Sequence, residues 1–364
     1  MSNQPKLDSA IKFGAGRVRC ERGLIPQLGE EFARFGKKML IVAGPRSWDA
    51  VKDELVPSME AAGVDHQLEI YTGWCCFEGA QELADKARAA GCDEIVGVGG
   101  GKITDLSKAV GELAGLGAIN VPTSASCCAP FTCMSVMYTA EGGKLKSWRF
   151  DHEIDGVYMD MDVIAACPIR YNAAGILDAM AKKIEMLNGQ PEMHLEDTPI
   201  DVYTAYNMAA YTYDVLAAEG LQAIEDNRAG KVTKALTDVA FLNVITTGVI
   251  ANTTKSFRQS ELAHVIYDGI RTHFTKEAAA AIHGEIVAIG LFCQLYFNGL
   301  KDKEEELREF MRRMDLPLTL GEIGIEPTEE NLATIEEYIV NSRHYNSDDP
   351  ADRQRLHEAV LEMA

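Results

Sequence analysis

The chain has 364 residues, 47% hydrophobic and 25% charged, the make-up of a globular protein long enough for two domains. Against 55 Asp and Glu stand 35 Lys and Arg, a formal charge of −20, which argues against nucleic acid and anionic membrane surfaces as partners because both need a basic footprint. No apolar run reads as long enough to span a bilayer, and the opening "MSNQPKLDSAIKFG" has neither the basic nor the apolar region of a leader.

From residue 37 the chain alternates strand-like and helix-like segments. "KKMLIVAG" (37–44) is a short apolar run stopped by Gly-Pro, the pattern of a buried parallel strand. A helical period follows over 51–63, then a second strand over 66–73 and a second helix over 79–91. A third strand is expected over 93–100, a third helix over 102–116 with Ile103, Leu106, Val110 and Leu113 on one face, and a fourth strand over 117–126. A hairpin is expected around Glu141-Gly142-Gly143. This rhythm predicts an α/β half built on an open parallel sheet. From Pro168 the period is helical, with helices expected over 168–187, 199–225, 231–252, 258–267, 276–298 and 302–314. The change divides the chain into 1–162, an α/β dinucleotide-binding domain, and 163–364, an all-α domain. The cleft between them is where a small-molecule site is expected. Nine cysteines, with adjacent pairs but no C-x-x-C, read as reduced thiols of a cytoplasmic protein.

The stretch "EIVGVGGGKITDLSKAV" (94–110) carries the first chemistry. A strand that ends in Gly99-Gly100-Gly101 and enters a helix at Lys102 presents unpaired backbone N–H groups to an anion, and glycines let a pyrophosphate approach closely. It is neither a G-x-G-x-x-G fingerprint nor a Walker A loop: Lys102 stands where the third glycine belongs, and Val96 and Ile103 occupy the Walker glycine and hydroxyl positions. Where an NAD site usually places an acidic residue against the ribose, the first strand ends in Gly44, followed by Arg46 and Ser47. NAD or NADP is therefore the expected cofactor, with the choice open.

Three residues of the helical half suggest a metal. Asp178 lies in "AAGILDAMA", where a lone carboxylate is costly unless a cation meets it; Lys182, at i+4, would be a plain partner. His264 in "ELAHVIYDGI" and His283 in "AAAAIHGEIVAIG" sit in apolar runs, where a single histidine is more often a core residue than a ligand. Together the three fit a divalent-metal site with an open position. Their spacing does not bring them together, and Asp268-Gly269 is expected to break the chain between the histidines.

The segments "GVGGGKITDLSKA", "VPTSAS", "MSVMYT", "AAGILDAMAK", "AHVIYDG" and "IHGEIVAIG", in this order, resemble the iron-containing (group III) alcohol dehydrogenase superfamily, nearest its glycerol dehydrogenase-like and hydroxycarboxylate dehydrogenase-like branch. The resemblance runs from about residue 40 to 318. It implies metal-assisted hydride transfer between NAD(P) and a small alcohol or carbonyl compound such as a hydroxy acid, 2-oxo acid, ketone or polyol, in a protein that forms homo-oligomers. It puts the pyrophosphate on Gly99, Gly100, Gly101 and Lys102, and further cofactor contacts on Asp105, Thr123, Ser126, Thr132, Met134 and Tyr138. It makes Asp178, His264 and His283 the metal ligands and catalytic centre, with zinc expected and iron as the other candidate. Two departures stand out: Gly44 replaces the NAD-selective aspartate, and Cys128 replaces a substrate-contacting aspartate. A thiol does not accept polyol hydroxyls as a carboxylate does, which disfavours glycerol itself. The rival reading is a non-redox sugar-phosphate cyclase resembling dehydroquinate synthase, which would need a Lys/Arg cluster for its phosphate. No dedicated general base is evident.

Overall fold

The computed structural model describes residues 11–254 and 259–364. The reading of the N-terminal segment rests mostly on residues 1–10, outside these ranges, as is Arg258, the first residue of the helix expected over 258–267.

The N-terminal half runs β1 (Ala15–Glu21), α1 (Leu28–Phe32), β2 (Lys38–Ala43), α2 (Pro45–Ala61), β3 (Asp65–Ile70), α3 (Phe77–Ala90), β4 (Glu94–Gly99), α4 (Gly101–Ala114) and β5 (Gly117–Pro122). It continues through an antiparallel hairpin, β6 (Met134–Tyr138) and β7 (Lys144–Arg149), to β8 (Ile154–Asp160). Six strands form one parallel sheet in the order β1-β8-β5-β4-β2-β3. The period of two sorts β2 between two cores: Met39, Ile41 and Ala43 pack with α1 and α2 on one face, Leu40 and Val42 with α3 and α4 on the other. The expected α/β sheet and hairpin are therefore present. The sheet is larger than expected, since β1 and β8 add to the four strands read from sequence, and α2 begins at Pro45 rather than near 51.

The rest is helical: α5 (Met161–Ala166), α6 (Ile169–Leu187), α7 (Ile200–Arg228), α8 (Lys234–Phe241), α9 (Thr247–Thr253), α10 (Leu262–His273), α11 (His283–Phe297), α12 (Glu304–Arg313), α13 (Glu329–Val340) and α14 (Pro350–Leu361). A π-turn over Leu242–Thr246 joins α8 to α9. The resulting stretch, Lys234–Thr253, is long and apolar enough to cross a membrane, contrary to the sequence reading, but its apolar window is 67% buried inside the fold. Two further expectations fail. Asp268-Gly269 does not break the chain, because α10 runs through it with Gly269 against the Tyr338 ring. The helix expected over 276–298 starts only at His283; residues 275–280 are turns despite four consecutive alanines.

Candidate active site

A cavity of about 1050 Å³ lies between the C-terminal ends of the strands and the helical half. That is the crevice where open parallel sheets bind ligands. One wall is the glycine loop. Gly100 is the extended N-cap of α4, with no side-chain cap, and Gly101 and Lys102 open the helix on the cavity. Lys102 lies over the Trp74 ring at 4.5 Å, and the Arg271 guanidinium approaches the same ring at 5.8 Å. Burial, and then Arg271, lowers the Lys102 pKa. Two cations and a helix N-terminus thus converge on one edge, as a pyrophosphate requires.

Thr123, Ser126, Cys128, Thr132, Met134 and Tyr138 line the same cavity. Asp105 lines it too, but is tied down: it pairs with buried Lys108 at 2.9 Å and accepts the Val136 N–H. Lys108 also donates to the carbonyls of Ala129, Thr132 and Met134, so this pair fastens the cavity-lining loop before β6 to α4. Gly44 and Gly99 do not line the cavity. Gly99 is buried against Ile103, and Gly44 caps α2 just behind Arg46 and Ser47, which do line it.

The other end is built from three helices. Asp178 (α6), His264 (α10) and His283 (first residue of α11) offer ligand atoms within 4.8 Å of one another. Asp178 Oδ1 lies 3.3 Å from His264 Nε2 and 3.5 Å from His283 Nε2. These separations are long for charge-assisted hydrogen bonds. They match the edge of a tetrahedron, since metal–ligand bonds of roughly 2.0–2.1 Å put neighbouring ligand atoms about 3.4 Å apart. One carboxylate and two imidazoles, with the histidines part-exposed to the cavity, therefore fit a divalent ion with an open side.

The residues behind the ligands hold them in place. Glu185, two turns along α6 from Asp178, accepts His264 Nδ1 at 2.6 Å and the backbone N–H groups of Glu261 and His264. It thereby caps the start of α10 and directs His264 Nε2 toward Asp178. Arg170 pairs with Glu285 and donates to Ala280 O, while Arg271 donates to Ala278 O and Ala281 O. Glu285 in turn accepts the Ile282 N–H. Two arginines thus hold the carbonyls of the turn that delivers His283, so its alanines do not join the helix. Close approach finishes the arrangement. A Cβ on Gly284 would lie 2.2 Å from Ala174 O of α6, and one on Gly290 would lie 2.9 Å from Ala263 Cα of α10. Tyr267 packs edge-on against His283 and shares a 2.7 Å hydroxyl contact with Tyr138 of the hairpin.

Electrostatics follow from burial and pairing. Burial would raise the Asp178 carboxyl, but Lys182 and the two histidines outweigh it and hold it well below the usual range. Burial lowers His283, which favours its neutral imidazole. His264 is raised: burial pulls it down, and Glu185 together with Asp178 more than reverses that. Lys182 is itself almost fully buried, 3.4 Å from Asp178 Oδ1 and 3.1 Å from His264 Nε2. The sequence offers it as a partner for Asp178, and singles out none of Glu185, Lys108 and Arg170. The i, i+4, i+7 placement of Asp178, Lys182 and Glu185 was the available signal.

Comparison with known proteins agrees with this geometry. The family described as iron-containing alcohol dehydrogenase matches residues 15–154. Glycolaldehyde reductase of Halobacterium salinarum is 29% identical over 340 residues, 91% of this chain and 90% of that one. Hydroxycarboxylate dehydrogenase A of Escherichia coli is 30% identical over 312 residues, 84% and 83% of the two chains. The solved structure of a probable glycerol dehydrogenase from Sinorhizobium meliloti superposes with a TM-score of 0.83 at 25% identity, covering 97% of each chain. On this evidence of sequence, fold and site, the chain belongs to the iron-containing alcohol dehydrogenase family.

Proposed function

We propose that this chain is a metal-dependent oxidoreductase that moves a hydride between NAD or NADP and the carbinol or carbonyl carbon of a small substrate. One observation carries the reading: the Asp178, His264 and His283 cluster closes one end of the cavity whose other wall is the glycine loop. Zinc is the metal we assign, on a donor set of two imidazoles and one carboxylate. When bound, the ion supplies Lewis acidity to the substrate oxygen and the dinucleotide supplies or takes the hydride. The chain's own part is placement. Glu185 keeps the proton of His264 on Nδ1, so that Nε2 keeps its lone pair. Gly100 and Gly101 leave the α4 amides open to a pyrophosphate. The Cys127 and Cys128 thiols stay neutral, since burial pushes Cys128 up to about 12 and Cys127 higher still. The cysteines are free throughout, as a cytoplasmic setting would have them.

At the ribose end, Gly44 offers no carboxylate to repel a 2′-phosphate, and Arg46 and Ser47 line the cavity beside it. We infer that NADP is accepted at least as well as NAD. The sugar-phosphate cyclase reading is not favoured, since the relatives are named as dehydrogenases and a reductase.

The test is absorbance at the reduced-nicotinamide band with a panel of 2-oxo acids, hydroxyketones, aldehydes and polyols, run with each cofactor and with or without zinc. We expect turnover that a chelator abolishes and zinc restores. Tight dinucleotide binding with no turnover of any panel member would overturn the reading.

A further inference from the structure

Beyond favouring the ionised form of Asp178, Lys182 has no role in the site as described so far. Its ammonium is buried, lines the cavity, and its two side-chain partners are Asp178 and His264, the groups assigned to the metal. Both contacts exceed the length of a good charge-assisted hydrogen bond. An ammonium has three donors and no lone pair, so beside the ligands it serves to hold an acceptor rather than to ligate.

Charge leads the same way. Of the buried carboxylates at this end, Asp105 pairs with Lys108, Glu285 with Arg170 and Glu261 with His344, which leaves Asp178 and Glu185. Cys128, where an aspartate would repel an anion, is an uncharged thiol. With Lys102 and Arg271 set apart at the Trp74 edge, where they face the pyrophosphate, Lys182 and a divalent ion stand against the two carboxylates, which leaves one positive charge in excess. An uncompensated charge in a buried site is costly, and a monoanion removes that cost. A phosphate dianion would overshoot.

We propose that Lys182 is a specificity residue that holds a carboxylate next to the reacting carbon, making 2-oxo and 2-hydroxy acids the preferred substrates. This rests on the oxidoreductase reading above. Donation from Lys182 to that carboxylate is a charge-assisted hydrogen bond inside the protein, worth about tenfold to a hundredfold in affinity.

The test compares 2-oxobutanoate with 1-hydroxybutan-2-one, which replaces the carboxylate by a neutral hydroxymethyl, and with dihydroxyacetone phosphate. In the wild type, kcat/KM should favour the oxo acid at least about tenfold over both. In Lys182→Met that ratio should fall toward one, and in Lys182→Arg it should be partly kept. Independently of turnover, calorimetry should show oxamate binding to the zinc- and cofactor-loaded protein at least about tenfold more weakly in Lys182→Met. Metal content should be measured alongside. Turnover of the hydroxyketone with no preference for the acid overturns the carboxylate assignment and leaves the oxidoreductase reading intact. A preference for the phosphate ester overturns it as well. No turnover of any of the three, or of the wider panel, defeats the oxidoreductase reading itself. A ratio unchanged in Lys182→Met overturns the assignment to Lys182; if that variant does not fold, Lys182→Arg and the wild-type ratio decide.

Discussion

The two walls of the cleft are built on opposite plans. The glycine-loop wall comes from one continuous piece of chain, β4 into α4, and presents backbone amides. The metal-side wall comes from three helices distant in sequence and presents side chains whose positions depend on Glu185, on two arginines and on close glycine contacts. A backbone cradle is largely fixed once its strand and helix form. A ligand set on separate helices must be fixed again at each residue by what lies behind it.

Breaking the metal side alone should give the largest effect. Asp178→Asn or His264→Ala should lower turnover about a thousandfold or more and abolish zinc retention, with dinucleotide affinity preserved. Parallel loss of dinucleotide binding in a titration would mean that the two walls are not independent. Glu185→Gln touches no ligand atom of the metal directly and should still weaken zinc affinity about ten- to a hundredfold, read by chelator competition. Unchanged affinity would show that His264 needs no backing. On the glycine-loop side, Gly44→Asp has room, since its Cβ would meet Ser47 Oγ at 3.5 Å. The ratio of kcat/KM for NADP over NAD should fall about tenfold or more, and a constant ratio would place ribose recognition elsewhere.

The smallest effect lies away from the cleft. Burial, reinforced by Asp155, pushes Glu94 at the start of β4 up to about 9. The folded chain then holds a proton that the unfolded chain has released above its ordinary 4.5. Stability is greatest below that value and falls as pH rises toward about 9, by at most about 1.4 kcal/mol per pH unit for a full proton. Urea midpoints at pH 6 and 8.5 should differ less in Glu94→Gln than in the wild type. Equal differences would leave the Glu94 carboxyl out of the pH dependence.

Legibility in the sequence follows the same divide. β2, β4 and β5 were visible because strands covered on both faces are apolar runs. β1 was not, since "AGRVRCE" is an edge strand whose Arg17 and Arg19 face outward to pair with Glu31. The turn before His283 was misread because helix propensity favours consecutive alanines, whereas the arginine clamps are long-range contacts that local pattern does not carry. The metal-ligand candidates could be named from residue type and resemblance. Their convergence could not, because it depends on how α6, α10 and α11 pack. Lys182 and Glu185 were within reach of a helical-face reading, but their partners sit on another helix.

The position of β1 also governs how the chain assembles. Among the described residues β1 pairs within the sheet only with β8, Ala15 with Ile154, so the first described strand waits for the last. During synthesis β2 to β5 can assemble while β1 has no neighbour, and the sheet completes only after residue 160 has emerged. Closing so long a loop costs entropy before any contact repays it, so docking of this edge is expected to be a slow step of folding.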